Sequence, residues 1–173
     1  MRPVLIVYYS LSGNTRAAAE KLRDELDADM AEIRYTRSRG GVLGILKAVW
    51  EALSGATPEI ETDPHDLSAH KLVVLATPVW AARPAAPMHA YLVRHASALP
   101  ALAFLCTLGG SGAEGTFRRM AGASGRSAVA TQSLSDADRK ADGGRQKIAR
   151  FAEEIRHAAG LGASSPDSGA EAS

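Results

Sequence analysis

Short apolar segments of strand length alternate with segments of helical period along most of this sequence, and the alternation limits the folds open to it. The strand-like segments are residues 4–9, 30–35, 72–76, 101–106 and, more weakly, 127–131. The helical segments are residues 15–26, 42–53, 88–95, a stretch that contains Phe117 and Met120, and 138–158. Parallel strands need long crossover connections, and right-handed crossovers place helices on both faces of the sheet. We therefore predict an α/β protein, a doubly wound three-layer sandwich around a five-stranded parallel sheet.

The composition of the strands predicts their order in the sheet. Segments 4–9, 72–76 and 101–106 are continuously apolar, as strands covered on both faces are. Segment 30–35 alternates between apolar and polar residues, which predicts an edge strand, and segment 127–131 is weak. Weak strands at the edges give the order 2-1-3-4-5. In such a sheet a ligand binds beyond the carboxyl ends of strands 1 and 3, so the loops after Tyr9, Ala76 and Cys106 are the candidate site.

Length and composition favour one domain and exclude several classes of protein. The 173 residues suffice for one core, which we place in residues 1–159, and residues 160–173 are poor in large apolar groups and predict a disordered tail. A net charge of +1 lacks the basic excess of a dedicated nucleic-acid binder or a polybasic membrane-surface protein. The single cysteine, Cys106, cannot form an intrachain disulfide, and no apolar stretch is long enough for a signal peptide or a membrane span. These features predict a soluble cytoplasmic protein.

The loop after the first strand is rich in hydroxyl groups. Its six residues are Ser10, Leu11, Ser12, Gly13, Asn14 and Thr15. It lacks the GxxxxGK[ST] pattern of a nucleotide P-loop. Hydroxyls, an amide and the free N–H groups at a helix N-terminus would form an uncharged cradle for a phosphate, with Gly13 allowing close approach. Alternatively, Ser12 or Asn14 caps the helix and has no other role.

This loop resembles the phosphate loop of the flavodoxin-like family, which reads Ser/Thr-x-Ser/Thr-Gly-x-Thr directly after the first strand. All positions of that pattern are met, and the resemblance extends over the strands and helices of roughly residues 3–158. It implies a flavodoxin-like fold with bound FMN. It also implies that Ser10, Ser12, Asn14 and Thr15 hold the FMN phosphate.

The loop after the third strand presents a tryptophan on a stiffened backbone. It runs from residue 77 to residue 87, contains three prolines and begins Thr77, Pro78, Val79, Trp80, Ala81. Proline restricts the backbone, so the indole of Trp80 is expected at a fixed angle. Small flavodoxin-like oxidoreductases have a similar loop beside the isoalloxazine ring, which implies that role for Trp80. The alternative is an ordinary buried tryptophan that closes the edge of the sheet.

The loop after the fourth strand is rich in glycine and begins Thr107, Leu108, Gly109, Gly110. Gly110, Gly112 and Gly115 also match GxGxxG, but a dinucleotide fingerprint follows the first strand of its unit and has an acidic residue about twenty positions later. We therefore expect no NAD site here. The resemblance implies instead that backbone groups of this loop contact the pyrimidine edge of the flavin. The loop has no tyrosine to cover the ring, so one flavin face is expected to be open.

Other reactive residues do not form a recognisable site. Cys106 is expected to be a buried thiol, and the histidines lack the spacing of a metal site. Ser111 lacks the GxSxG pattern of a serine hydrolase, because position 113 is alanine. The sequence therefore nominates no catalytic acid or base and no metal ligand.

The resemblance implies an FMN-dependent oxidoreductase that passes electrons from NAD(P)H to a quinone, a free flavin or a protein. One alternative is a flavodoxin that carries electrons between protein partners, which the near-neutral charge disfavours because such carriers usually dock through an acidic face. Another is a cofactor-free interaction module on the same fold. If the apolar face of the amphipathic segment 42–53, which has Trp50 beside it, is wider than one sheet can bury, the segment is expected to form a homodimer interface or a lid over the flavin.

Overall fold

Five parallel strands form the centre of the sheet in the computed structural model, which describes residues 2–35 and 59–161. Two short antiparallel strands extend it. The strands are β1 (Val4–Tyr8), β2 (Asp29–Tyr35), β3 (Ile60–Thr62), β4 (Leu72–Trp80), β5 (Arg83–Pro84), β6 (Ala101–Leu108) and β7 (Ala130–Ser135). Their spatial order is β3-β2-β1-β4-β6-β7, with β5 paired to β4. The five parallel strands alone therefore have the predicted order 2-1-3-4-5.

Three predicted features of the sheet need correction. β2 is not an edge strand, because β3 pairs antiparallel outside it. β4 continues past Ala76 to Trp80, because the chain then turns back into β5 and the two strands pair through backbone hydrogen bonds. The last strand runs from Ala130 to Ser135 instead of over 127–131. Only Ala130 and Leu134 of that strand are buried, so its polar second half gives little strand signal in the sequence.

Four of the five helices in the described residues cover the two faces of the sheet, two on each. The helices are α1 (Asn14–Leu26), α2 (Ala86–His95), α3 (Ala113–Ser124), α4 (Asp136–Ala141) and α5 (Arg145–Ala158). Helices α1 and α5 pack on one face, where Leu22 and Phe151 are fully buried. Helices α2 and α3 pack on the other, around Tyr91 and Met120.

The predicted helix over 138–158 is interrupted. α4 begins at an N-cap, Ser135, in which Ser135 and Asp138 exchange side-chain and backbone hydrogen bonds. Gly143 and Gly144 then have φ angles of 69° and 77°, in the left-handed region that ends a helix, and α5 starts after them. The interruption could not be predicted from the acidic and basic residues before these glycines, because such residues are all acceptable in a helix.

Several predictions concern residues outside the described ranges. The helix predicted over 42–53, together with Trp50 and the dimer interface or lid, lies there, as do residues 162–173 of the predicted tail. Gly160 and Leu161 are described and belong to the C-terminal cap of α5, where the Leu161 N–H donates to the Arg156 carbonyl at 2.8 Å. Leu161 packs against the apolar cluster that α1 and α5 form on their face of the sheet. Within the described ranges, every helix is too short or too polar to cross a membrane.

Candidate functional site

The three loops singled out in the sequence meet at the carboxyl edge of the parallel strands. This follows from the topology, because β1, β4 and β6 are neighbours and point the same way. Direct contacts then join each loop to the next. The site is therefore one continuous surface built from three separate parts of the chain.

The first loop leads into a helix N-terminus that no side chain of residues 2–35 or 59–161 caps. Gly13 is the N-cap residue, with φ 87°, and it has no side-chain capping bond. The Ser10 hydroxyl instead accepts a hydrogen bond from the Gly13 N–H at 3.1 Å. Ser12 and Asn14 are exposed, and their side chains make no hydrogen bond within the described residues. The capping alternative for Ser12 and Asn14 is therefore wrong, and the first N–H groups of α1 are left for solvent or a ligand.

The position of Gly13 suits close approach by a ligand. Its left-handed φ strongly favours glycine, and a Cβ placed on it would meet no atom of the described residues within 4 Å. As far as those residues are concerned, the space above the N-terminus of α1 is open. The positive end of the helix dipole and the surrounding hydroxyls make it suitable for an anion.

Thr15 is buried and joins the first loop to the third. Its hydroxyl lies 2.8 Å from that of Thr107, and the two residues are only 1% and 4% exposed. Two hydroxyl groups carry two hydrogens, and their mutual bond uses one of them. The pair therefore retains one hydrogen to donate. That Thr15 contacts a phosphate stays a prediction.

The second loop is a β-hairpin, which corrects its interpretation as a proline-stiffened loop. Trp80 pairs with Arg83 across a two-residue turn formed by Ala81 and Ala82. Both alanines have positive φ angles, 50° and 57°, a turn geometry usually occupied by asparagine and glycine. Alanine in this region costs about 1–2 kcal/mol per residue. The hairpin therefore holds Trp80 through backbone pairing and stores strain in its turn.

The side chain of Thr77 forms hydrogen bonds with the backbone at both ends of this hairpin. It is fully buried, its hydroxyl donates to the Pro78 carbonyl at 3.1 Å, and it accepts from the Ala85 N–H at 3.0 Å. Its side chain is therefore occupied within the protein. Among the predicted cofactor-binding residues of this loop, Pro78, Val79 and Trp80 are half-buried and Ala81 is exposed.

Tyr9 fixes the orientation of Trp80. The two rings are edge to face, with centroids 5.9 Å apart and planes at 89°. Tyr9 is only 7% exposed, and burial raises the pKa of its phenol. Sequence reasoning did not nominate Tyr9, although its place directly after β1 was a usable signal. The indole of Trp80 is thus partly exposed and held by both the hairpin and a buried ring.

Two glycines of the third loop are required for packing of the hairpin. A Cβ on Gly112, which has φ 102°, would lie 3.0 Å from the Cα of Ala82 and 3.1 Å from a methyl of Val79. A Cβ on Gly115 would lie 3.1 Å from the Ala82 carbonyl oxygen. Two of the three glycines of the GxGxxG match therefore have a structural cause, since the hairpin packs directly on the start of α3.

The remaining part of the third loop is short and open. Thr107 and Leu108 are the last residues of β6 and are buried, so the loop proper is residues 109–112. A Cβ on Gly110 would have no atom of residues 2–35 or 59–161 within 4 Å. Its backbone is therefore accessible at the edge of the sheet.

Two titratable side chains near this edge have pKa values that burial shifts. Burial raises the pKa of Cys106 to about 12, so the thiol is protonated at neutral pH, and Cys106 is buried as predicted. Burial, and then the charge of Arg83, lowers the pKa of His89 on α2. Within residues 2–35 and 59–161, no group of three or more His, Cys, Asp or Glu side chains could hold a metal ion.

A separate cavity of about 450 Å³ lies at the opposite, amino edge of the sheet, beside the one-turn 3₁₀ helix Leu67–Ala69 and the end of α2. His65 lines it, but both its ring nitrogens are already bonded, Nδ1 to the Asp63 carbonyl at 2.6 Å and Nε2 to the Tyr91 hydroxyl at 2.7 Å. The ring of His95 lies against that of Tyr91, with centroids 4.4 Å apart. The side chains of His65, Tyr91 and His95 thus contact one another and serve the packing of this region. The carboxyl edge of the sheet is therefore the stronger candidate for the functional site.

Comparison with known proteins identifies the fold. No family model matches the sequence, and no curated protein gives a significant match. Among solved structures, a flavoprotein from Lactobacillus acidophilus, crystallised in complex with FMN, is 23% identical; the match covers 81% of this chain and 97% of that one, with a TM-score of 0.68.

Two further solved structures match this fold, one along nearly its whole chain and one in part of its chain. The WrbA-like flavodoxin from Agrobacterium tumefaciens is 16% identical over 91% of this chain and 99% of its own, with a TM-score of 0.55. Rubredoxin:oxygen oxidoreductase from Desulfovibrio gigas is 14% identical over 94% of this chain and 37% of its own, also with a TM-score of 0.55. The strand order, the helices on both faces and these likenesses together show that the chain has the flavodoxin-like fold.

Proposed function

We propose that this chain binds FMN at the carboxyl edge of its sheet and acts as a flavin-dependent oxidoreductase. One observation carries the proposal: an uncapped helix N-terminus, surrounded by hydroxyl and amide groups, lies at the same edge as a tryptophan fixed by a hairpin and a second ring. The first feature suits a phosphate and the second a flat aromatic group. FMN contains both, and the Lactobacillus flavoprotein of the same fold contains FMN.

The residues at the start of α1 suit the phosphate group of FMN. Ser12 and Asn14 have exposed side chains without partners in the described residues, and the Ser10 hydroxyl, which accepts from Gly13, keeps its hydrogen to donate. These groups and the N–H groups at the start of α1 would hold the phosphate, with the Thr15–Thr107 pair behind them. Charge-assisted hydrogen bonds and the helix dipole can replace a lysine or arginine here.

The residues around Trp80 also suit the isoalloxazine ring of FMN. Trp80 offers a partly exposed indole whose angle Tyr9 and the hairpin fix, and aromatic pairs contribute about 0.5–1.5 kcal/mol beyond their burial. Backbone groups of Gly109 and Gly110 would lie at the pyrimidine edge, where the open space at Gly110 admits a ligand. When bound, FMN supplies the redox chemistry, because its ring accepts a hydride and releases electrons to an acceptor.

We further propose NAD(P)H as the donor and a quinone, a free flavin or a protein as the acceptor. Residues 109–112 contain no aromatic side chain, which leaves room for a donor or acceptor beside the ring. The net charge of +1 favours this role over that of a carrier that docks through an acidic face. The protein would then bind and orient both partners at one open surface.

FMN titration tests the binding. We expect a dissociation constant in the micromolar range or below, followed by flavin fluorescence, and weaker binding of riboflavin, which lacks the phosphate. Ser12→Ala and Asn14→Ala should each weaken FMN binding about tenfold while leaving riboflavin binding and apoprotein stability unchanged. Ser97→Ala is the matched control, because Ser97 is also exposed but lies after α2 at the opposite edge. FMN binding no tighter than millimolar would refute the proposal.

Stopped-flow reduction tests the oxidoreductase role. Rapid bleaching of bound FMN by NADPH or NADH alone is the expected result. Reduction that requires an added reductase protein would instead indicate the carrier function and overturn the choice of donor.

A further inference from the structure

Arg139 joins the carboxyl ends of β6 and β7. Its Nη1 group donates to the Leu134 carbonyl at 3.0 Å and to the Leu108 carbonyl at 3.4 Å. Its Nη2 group pairs with the carboxylate of Asp136, and only 19% of the arginine side chain is exposed. One guanidinium therefore contacts two strands and the first residue of α4.

The position of Leu108 gives these contacts a consequence for the candidate site. Leu108 is the last residue of β6, so its carbonyl is the point from which residues 109–112 leave the sheet. Side chains do little to hold the first half of this loop. Among the atoms of the described residues, a Cβ on Gly110 would meet nothing within 4 Å, and one on Gly109 would meet an oxygen of Asp136, at 3.8 Å.

Gly112 holds the other end of the loop through its packing on Ala82. The two ends of the loop are therefore fixed by different means, by close packing at Gly112 and by the Asp136–Arg139 pair at Leu108. The pair is not part of the predicted site, because its residues follow the last strand instead of the three loops.

We infer that Arg139, oriented by Asp136, is a positioning residue that sets the backbone of residues 109–112 for the flavin ring. The inference rests on the FMN binding proposed above. A planar guanidinium can donate to two carbonyls and a carboxylate at once, whereas the ammonium of lysine is a point charge without that fork. Arginine is thus suited to this position in a way that lysine is not.

The test compares Arg139→Gln, Arg139→Lys and Asp136→Asn with Arg156→Gln. Arg156 is the matched control, because it also donates to a backbone carbonyl, that of Glu25, pairs with the Glu25 carboxylate and is 25% exposed. It lies at the opposite edge of the sheet, near the end of α1. The measurements are amide hydrogen exchange at residues 109–111 in the FMN-free protein, FMN affinity, and the absorption spectrum and midpoint potential of bound FMN.

For Arg139→Gln we expect the amide exchange rates of residues 109–111 to rise roughly tenfold more than those of the rest of the sheet. FMN affinity should fall roughly tenfold, with a shifted spectrum and potential. Arg139→Lys should recover part of each effect, and Asp136→Asn should cause a smaller change of the same kind. Arg156→Gln should alter none of the flavin properties.

Two results overturn the inference in distinguishable ways. If the wild-type protein binds FMN and Arg139→Gln leaves exchange, spectrum and potential as they are in Arg156→Gln, the positioning role fails and the proposed function stands. If the wild-type protein binds no FMN, both fail.

Discussion

The side-chain hydroxyls of Thr15 and Thr107 lie 2.8 Å apart inside the protein, although 92 positions separate them in the sequence. Thr15 is in the first turn of α1 and Thr107 is near the end of β6. Their bond fixes the start of α1 against the neighbouring strand. The first and third loops therefore keep a constant relative position.

Removing one of these hydroxyls should be worse than removing both. Thr107→Val leaves the buried Thr15 hydroxyl without its partner, which costs about 1–3 kcal/mol of unfolding free energy. The double variant Thr15→Val/Thr107→Val has no orphaned group and should be more stable than the Thr107→Val single variant. Urea unfolding of the apoprotein measures both values. Strictly additive losses would show that the hydroxyls do not depend on each other.

Substitutions at Gly112 and Gly110 should differ sharply although the residues are two positions apart. Gly112→Ala places a Cβ 3.0 Å from the Cα of Ala82 on a backbone with φ 102°, so the hairpin must move. We expect a loss of about 2–3 kcal/mol in unfolding free energy. The Cβ of Gly110→Ala meets no atom within 4 Å in the described part of the chain, so this variant should leave apoprotein stability within about 0.5 kcal/mol of the wild type.

The same two variants also distinguish an effect on stability from an effect on FMN binding. If FMN approaches the backbone at Gly110, Gly110→Ala should weaken FMN binding at nearly unchanged stability, as measured by FMN titration and thermal unfolding. Equal loss of stability in both variants would contradict the contact between the third loop and the hairpin.

Local patterns predicted most of the sheet and the first loop. β1, β4 and β6 are continuous apolar runs, and a buried parallel strand gives that signal wherever it occurs. The phosphate-type loop could be identified because its residues are consecutive and lie between a strand and a helix. The strand order followed from apolarity, since the central strands are covered on both faces.

Contacts between distant segments could not be predicted in this way. Nothing in the residues Ala81 and Ala82 indicates a turn with positive φ, because alanine is disfavoured there, and the hairpin forms only through pairing and packing on Gly112. The short strand β3 was missed for a similar reason. Its three residues pair with β2 after a long connection, and three residues carry no period. The role of Arg139 depends on the two strand ends that it joins.

Tyr9 should control the orientation of Trp80. Tyr9→Leu removes the edge-to-face contact, for which the centroid distance is 5.9 Å, whereas Tyr9→Phe keeps the ring. In a Trp50→Phe background, where Trp80 is the remaining tryptophan, Tyr9→Leu should weaken the near-ultraviolet circular dichroism of Trp80, and Tyr9→Phe should preserve it. An unchanged signal in Tyr9→Leu would mean that the hairpin alone fixes the indole.

Trp80→Ala should weaken FMN binding roughly tenfold, because it removes an aromatic partner of the ring. Trp80→Phe should retain most of the affinity. The fluorescence titration used for the wild-type protein measures both, and equal affinity in Trp80→Ala and the wild type would remove Trp80 from the proposed site.

Asp138 should make stability depend on pH at the acid end. Its carboxylate lies 2.8 Å from Lys147 Nζ, 2.8 Å from the Ser135 N–H and 2.7 Å from the Ser135 hydroxyl. The hydrogen bond from Lys147, and then those from Ser135, lower the pKa of Asp138 to about 2, below the value of 3.8 for a free side chain. A carboxyl group with a lower pKa in the folded state contributes stability above its unfolded pKa and loses it as the pH falls through the folded pKa.

Asp138→Asn should therefore lower the unfolding free energy at pH 7 by about 1 kcal/mol, since the N-terminal cap of α4 loses its charged acceptor. Between about pH 4 and pH 2 the wild type should lose more stability than the variant, so the two curves converge. Asp24→Asn removes the same charge from an exposed aspartate, 68% accessible and paired with its neighbour Arg23, and is the control for the change in net charge. Urea unfolding at a series of pH values measures the curves, and a constant difference between wild type and Asp138→Asn down to pH 2 would show that Asp138 keeps no depressed pKa in the folded protein.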